Sequence, residues 1–152
     1  MKHFRKTFFF VMATVLAAVS VGHSLAAKKG AGVVVIVKSD GALVGLSLKE
    51  IRSIYLGEKL FQGSSKIEPV MNGDDSVALV FFEKILGKTK VQYKKIWKSK
   101  AFVDALVAPS VLPHSEDVLQ AVEKDEYVIG FLNETDLSAK DNKSVKVIFT
   151  AN

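Results

Sequence analysis

The sequence predicts an α/β fold, a three-layer sandwich built on a mostly parallel sheet. Two strongly apolar runs, at residues 33–37 and 127–132, have the composition of strands covered on both faces. Between them, capped helical stretches alternate with shorter extended ones, which is the pattern of such a sandwich. The length of 152 residues suits one domain and not two.

That domain is expected over residues 27–152, because residues 1–26 read as a secretory signal peptide. Lys2, Arg5 and Lys6 precede an apolar run from Phe8 to Gly22, and Ser24-Leu25-Ala26 sets small residues before a cut ahead of Ala27. The run is short for a bilayer span of ~20 residues, and no later stretch is long and apolar enough to cross a membrane. An uncleaved N-terminal anchor is the alternative. These cations supply three of the +5 formal charges, so the basic balance does not argue for a nucleic-acid partner, and export argues against one. Cysteine is absent, which excludes a disulfide, a thiolate nucleophile, a thiolate metal site and a lipoprotein anchor. The expected product is a soluble exported protein, periplasmic in a cell with two membranes.

Within the domain, residues 28–32 form a polar lead-in to the first strand. Lys38-Ser39-Asp40-Gly41 ends that strand as a polar turn. Ser47 and Glu50 have the spacing of a capping box, and Leu48, Ile51 and Tyr55 then share one helical face until Gly57 stops the helix. Residues 58–66 read as a polar loop and residues 67–71 as a short strand. Asn72-Gly73-Asp74-Asp75-Ser76 follows, then a helix from Val77 so apolar that several of its sides must be enclosed, closed by Gly87. Tyr93 and Trp97 lie one turn apart on the next helix, residues 91–102, among six lysines. Residues 106–112 read as an extended connector. Ser115 is expected to cap a helix with Glu116 and Asp117 in its first turn, where the dipole favours acids. After the strand at 127–132, residues 133–143 read as a loop and 145–149 as a closing strand.

In parallel sheets, ligands sit at the carboxyl ends of strands. Two polar turns meet that condition: Ser39 and Asp40 after the first strand, and Asn72, Gly73, Asp74, Asp75 and Ser76 before the apolar helix. Backbone N–H groups at a helix start carry the positive end of its dipole and hold anions well. Asn, Asp and Ser are also the preferred capping residues, so a plain cap is the competing reading. Asp74-Asp75 could suggest a metal, but no further ligands are spaced for one. His114 is the single histidine outside the signal segment, and it stands in a loop beside Pro113. No nucleophile elbow, phosphate loop or dinucleotide fingerprint occurs, and no cofactor is implied. The lysines around Tyr93 and Trp97 read as a solvated helix face, with an anion-attracting surface as the alternative. An enzyme is not expected.

The order of these motifs resembles the short, single-domain members of the periplasmic phosphate-binding family, the substrate-binding components of phosphate ABC transporters. The matching stretches are the first strand and its Ser-containing turn, residues 47–57, residues 67–71 with the polar turn, and residues 81–88. Tyr93, Trp97 and residues 128–132 complete the set. The resemblance implies a single lobe of type II periplasmic-binding fold, with phosphate or another small oxyanion held at helix starts for uptake through an ABC permease. By position, Ser39 and Ser76 correspond to phosphate-contacting hydroxyls, and Asp74 or Asp75 to the acceptor of a proton from monoprotonated phosphate, which discriminates against sulfate. The chain departs from the family pattern where an arginine is common, having Val77 or Ala78. It also carries Phe102-Val103-Asp104-Ala105 in place of a Thr-Gly turn. A guanidinium fork is a strong oxyanion ligand, so the alternative expectation is a periplasmic interaction or sensory protein that keeps the fold without strong phosphate binding.

Overall fold

The computed structural model describes residues 32–138 and 143–152, so the expected signal peptide lies outside the described residues. The chain runs β1 (Val33–Lys38), α1 (Leu48–Tyr55), a small hairpin of β2 (Phe61–Gln62) and β3 (Ser65–Lys66), then β4 (Glu68–Asn72). α2 (Asp75–Val80) passes directly into a π-helical turn (Phe81–Leu86), and α3 (Lys90–Val103) follows. The remainder is β5 (Ser110–Leu112), α4 (Ser115–Lys124), β6 (Val128–Asn133), the short α5 (Glu134–Ser138) and β7 (Val145–Ala151).

Five strands form one sheet in the order β5-β4-β6-β1-β7. β4 pairs in parallel with both β5 and β6, whereas β1 is antiparallel to both β6 and β7. Four strands therefore point one way and β1 alone points the other. The sheet is mostly parallel, as expected, but its first strand is not a parallel one. The residues of β1 could not show this, because a strand covered on both faces is apolar throughout in either direction.

Helices cover both faces. Val33, Val35 and Val37 point into a core with α1, α2, the π turn and α3, while Val34 and Ile36 point into a second core with α4. Alternate residues of one strand thus feed two layers of packing. In the larger core, Phe81 stacks on Phe131 with centroids 3.7 Å apart and planes at 4°, and Tyr55 meets both rings edge-on. The wide π turn lets the adjacent pairs Phe81/Phe82 and Ile85/Leu86 all be buried. Its last carbonyls receive the cation of α1, as Arg52 Nε donates to Ile85 O.

The local signals behave as chemistry requires. Ser47 and Glu50 close a capping box on α1, and Lys59 Nζ reaches Glu50 Oε1 at 2.7 Å. Gly57 (φ +69°) ends that helix, where a β-carbon would lie 2.8 Å from Trp97 Cη2. Three expectations change. The loop at 58–66 contains the β2–β3 hairpin, turned at Gly63. The connector at 106–112 ends in β5, a strand paired with β4. The loop after β6 begins with α5, and its residues 139–142 lie outside the described residues. These short elements take their hydrogen bonds from neighbours, so local composition says little about them.

Candidate functional site at the carboxyl edge of the sheet

The reversed direction of β1 decides which loops share an edge. Val33, at the start of β1, lies opposite Asn133 and Ala151, the ends of β6 and β7. Asn72 lies beside Leu112, the end of β5. The Asn72–Ser76 turn therefore shares its edge with the ends of β5, β6 and β7. Ser39 and Asp40 lie on the opposite edge, where Ser39 N donates to Ser144 O ahead of β7. The five steps of β1 separate the two turns by roughly 17 Å at ~3.4 Å per residue. The expectation of one crevice holding both turns is corrected: Asn72, Gly73, Asp74, Asp75 and Ser76 are brought together, and Ser39 and Asp40 are not among them.

The turn is built from the inside outward. Asn72 is 2 % exposed, and its side chain knits three elements. Nδ2 donates to Phe131 O of β6 (3.4 Å) and to Ser115 Oγ of α4 (3.1 Å), while Oδ1 accepts from Asp74 N (2.9 Å). Ser115 Oγ in turn donates to Asp136 Oδ2 of α5 at 2.7 Å. Gly73 presses against the end of β5: its N–H donates to Leu112 O at 2.7 Å, and a β-carbon would come within 2.9 Å of that oxygen.

Asp74 caps α2. Its Oδ1 accepts from Ser76 N (2.8 Å), Ser76 Oγ (2.6 Å) and Val77 N (3.4 Å). Two readings of this helix start were open, an anion cradle with outward-facing amides and a plain cap. In the structure two of the first amides are held by the Asp74 carboxylate, as in a cap. Asp75, one residue on, pairs with Lys90 Nζ of α3 at 2.6 Å across exposed surface, so this pair contributes little to stability. Ser115 was expected to cap α4, but the N-cap is His114, whose N–H donates to Asp117 Oδ2 at 3.2 Å. That leaves the Ser115 hydroxyl for the Asn72–Asp136 chain.

Beside this network lies an open cavity of about 560 Å³ lined by Asp74, His114, Ser115, Glu116, Leu119 and Asp136, among others. Its walls carry three carboxylates. A fully ionised oxyanion meets repulsion there, whereas a ligand with protons to donate meets acceptors. Ser115 and Asp136 were missing from the sequence-derived set. The signal for Asp136 was its place just beyond a core strand, at a carboxyl end that this edge shares. Among the described residues, no group of three or more His, Asp or Glu side chains is arranged to hold a metal.

No family model matches the sequence and no curated protein matches it. Solved structures do. One from Clostridium perfringens, described as a phosphate ABC transporter substrate-binding protein with bound phosphate, superposes with a TM-score of 0.57 at 18 % identity, over 78 % of this chain and 44 % of that one. An ABC-type phosphate transport receptor from Vibrio cholerae gives a TM-score of 0.53 at 20 % identity, over 78 % of this chain and 45 % of that one. The chain shares its fold with part of each of these two structures. The chain spans less than half the length of these structures. Among the described residues no helix is long and apolar enough to cross a membrane.

Proposed function

We propose that this chain is an exported solute-binding protein of ABC-type uptake, periplasmic after signal cleavage, whose ligand is phosphate or a related protonated oxyanion. The observation that carries this reading is the shared fold, in which the start of α2 stands at the carboxyl edge of the sheet beside an open cavity. The proposed ligand set is Asn72, Gly73, Asp74, Asp75 and Ser76. Ser76 Oγ and the first amides of α2 donate to the anion, and Asp74 accepts its proton once it turns from the cap. An ABC permease is the proposed partner.

Calorimetric titration of the mature domain with inorganic phosphate tests the proposal. Saturable heat below millimolar phosphate is expected, weakened roughly tenfold in Ser76→Ala, the loss of one charge-assisted hydrogen bond. A folded protein that gives no heat at millimolar phosphate overturns it. The second reading, an interaction or sensory protein that keeps the fold without strong phosphate binding, draws on the Asp74 carboxylate already occupying Ser76 N and Val77 N. On that reading phosphate is silent and a periplasmic protein is recovered by cross-linking.

A further inference from the structure

On the other flank of the same turn lies a groove of about 540 Å³, and its chemistry is the reverse of the acidic cavity. β4 contributes Met71, α2 and the π turn contribute Ala78 and Phe82, and α3 contributes Tyr93 and Trp97. The outer wall is β5, whose Val111 remains 67 % exposed at the sheet edge. The volume lies within the roughly 300–1,000 Å³ of small-molecule sites, and an apolar lining with a few placed polar groups is their usual composition.

The rim is cationic. Lys90, Lys94 and Lys98 all line the groove, and their spacing sets them on successive turns of one face of α3. Lys90 reaches across to Asp75. Lys94 and Lys98 pair with no carboxylate among the described residues. Asp75 also lines the groove, with its charge met by Lys90, so the groove offers apolar walls below and two further ammonium groups above. Inside it, the Tyr93 hydroxyl is directed at Met71 Sδ (3.6 Å), a weak acceptor that a ligand oxygen can replace. Burial raises the Tyr93 pKa well above its ordinary value, so it enters such a contact as a neutral donor.

We propose that this groove is a second, adjoining binding site for a small amphipathic organic anion, an aromatic or acyl body carrying a carboxylate or sulfonate. The body lies against Phe82, Tyr93, Trp97 and Val111, and the acid group meets Lys94 and Lys98. The groove borders the proposed oxyanion site, since Asn72, Gly73 and Asp75 line both, but it takes its acid group at Lys94 and Lys98 and uses neither Ser76 nor the amides that Asp74 caps.

Trp97 is the single tryptophan of the chain and forms one wall, so it reports occupancy directly. Anilinonaphthalene sulfonate, an aromatic body with one sulfonate, is the probe, read by energy transfer from Trp97 in the folded mature protein. Saturable transfer is expected, displaced by dodecanoate and not by equal dodecanol or by inorganic phosphate at matched ionic strength. The Lys94→Glu/Lys98→Glu pair, both exposed, should keep the circular dichroism of the parent and weaken the probe about tenfold or more through loss of two charge-assisted contacts. Ala101→Phe, at the groove mouth, should reduce binding without reversing charge. Absence of saturable transfer, transfer that survives the charge reversal unchanged, equal displacement by the alcohol, or displacement by phosphate would each overturn the proposal.

Discussion

Asn72 and Ser76 sit four residues apart in one turn and do different work. Asn72 is buried, and its amide bridges β4, β6 and α4, one of its partners being the buried carbonyl of Phe131. Tyr55 has the same role deeper in, its hydroxyl 3.1 Å from both Val70 O and Ile129 O. The β4–β6 ladder pairs Glu68 with Val128 and Pro69 with Ile129, and beyond it these two side chains link the strands. Asn72→Ala should therefore cost about 2 kcal/mol in urea unfolding, the penalty of stranding buried polar groups. Ser76→Ala should change stability by only a few tenths of a kcal/mol, because its exposed hydroxyl meets water as readily as Asp74. Equal losses in the two variants would refute this division.

At the scale of the element, α1 shows how a local signal becomes a measurable one. Hydrogen bonds from Lys59 first, then from the Ser47 backbone and hydroxyl, lower the Glu50 pKa from 4.5 to about 2. A carboxylate with a depressed pKa adds stability that is fully present above its unfolded value and is lost as the pH falls through the folded one. The contribution should fade between about pH 4.5 and about pH 2. The Glu50 side chain is about half exposed, so screening limits the whole capping and ion-pair effect to ~1 kcal/mol. Glu50→Gln should lower the urea midpoint at pH 7 and converge with the parent near pH 2. A constant difference across that range would show that the charge is not involved. α4 illustrates the opposite case, where contact rather than capping sets the fit: a β-carbon on Gly130 of β6 would lie 2.5 Å from Val118 Cγ1, and the missing side chain is what admits the helix.

For the whole molecule, the decisive feature is strand direction. With β1 reversed between β6 and β7, the turn at Ser39 faces away from the turn at Ser76. Ser39→Ala should consequently leave phosphate affinity within about twofold of the parent, since exposed charges and dipoles that far apart are largely screened at ~10 Å Debye length. A loss matching that of Ser76→Ala would contradict this topology. The same edge also separates two chemistries, carboxylates toward α4 and α5 and lysines toward α3, with the start of α2 between them.

The sequence by itself determined the layered α/β class, the capped α1, the core strands β1 and β6, the shorter β4 and closing β7, and the inward pair Tyr93 and Trp97. Each rests on periodicity, capping chemistry or glycine, which act within a few residues. It also picked out Asn72 to Ser76, because small polar residues ahead of an apolar helix are legible locally, but it could not separate cradle from cap. Only the tertiary structure decided that Asp74 fills its own helix start and that Asn72 is a buried bridge. It alone drew Ser115 and Asp136 into the network and sent Ser39 to the far edge. The Asp74 cap is local, made two and three residues on, where both readings were sterically open. The other outcomes depend on strand direction and on partners tens of residues away, and a doubly covered strand reads the same in both directions.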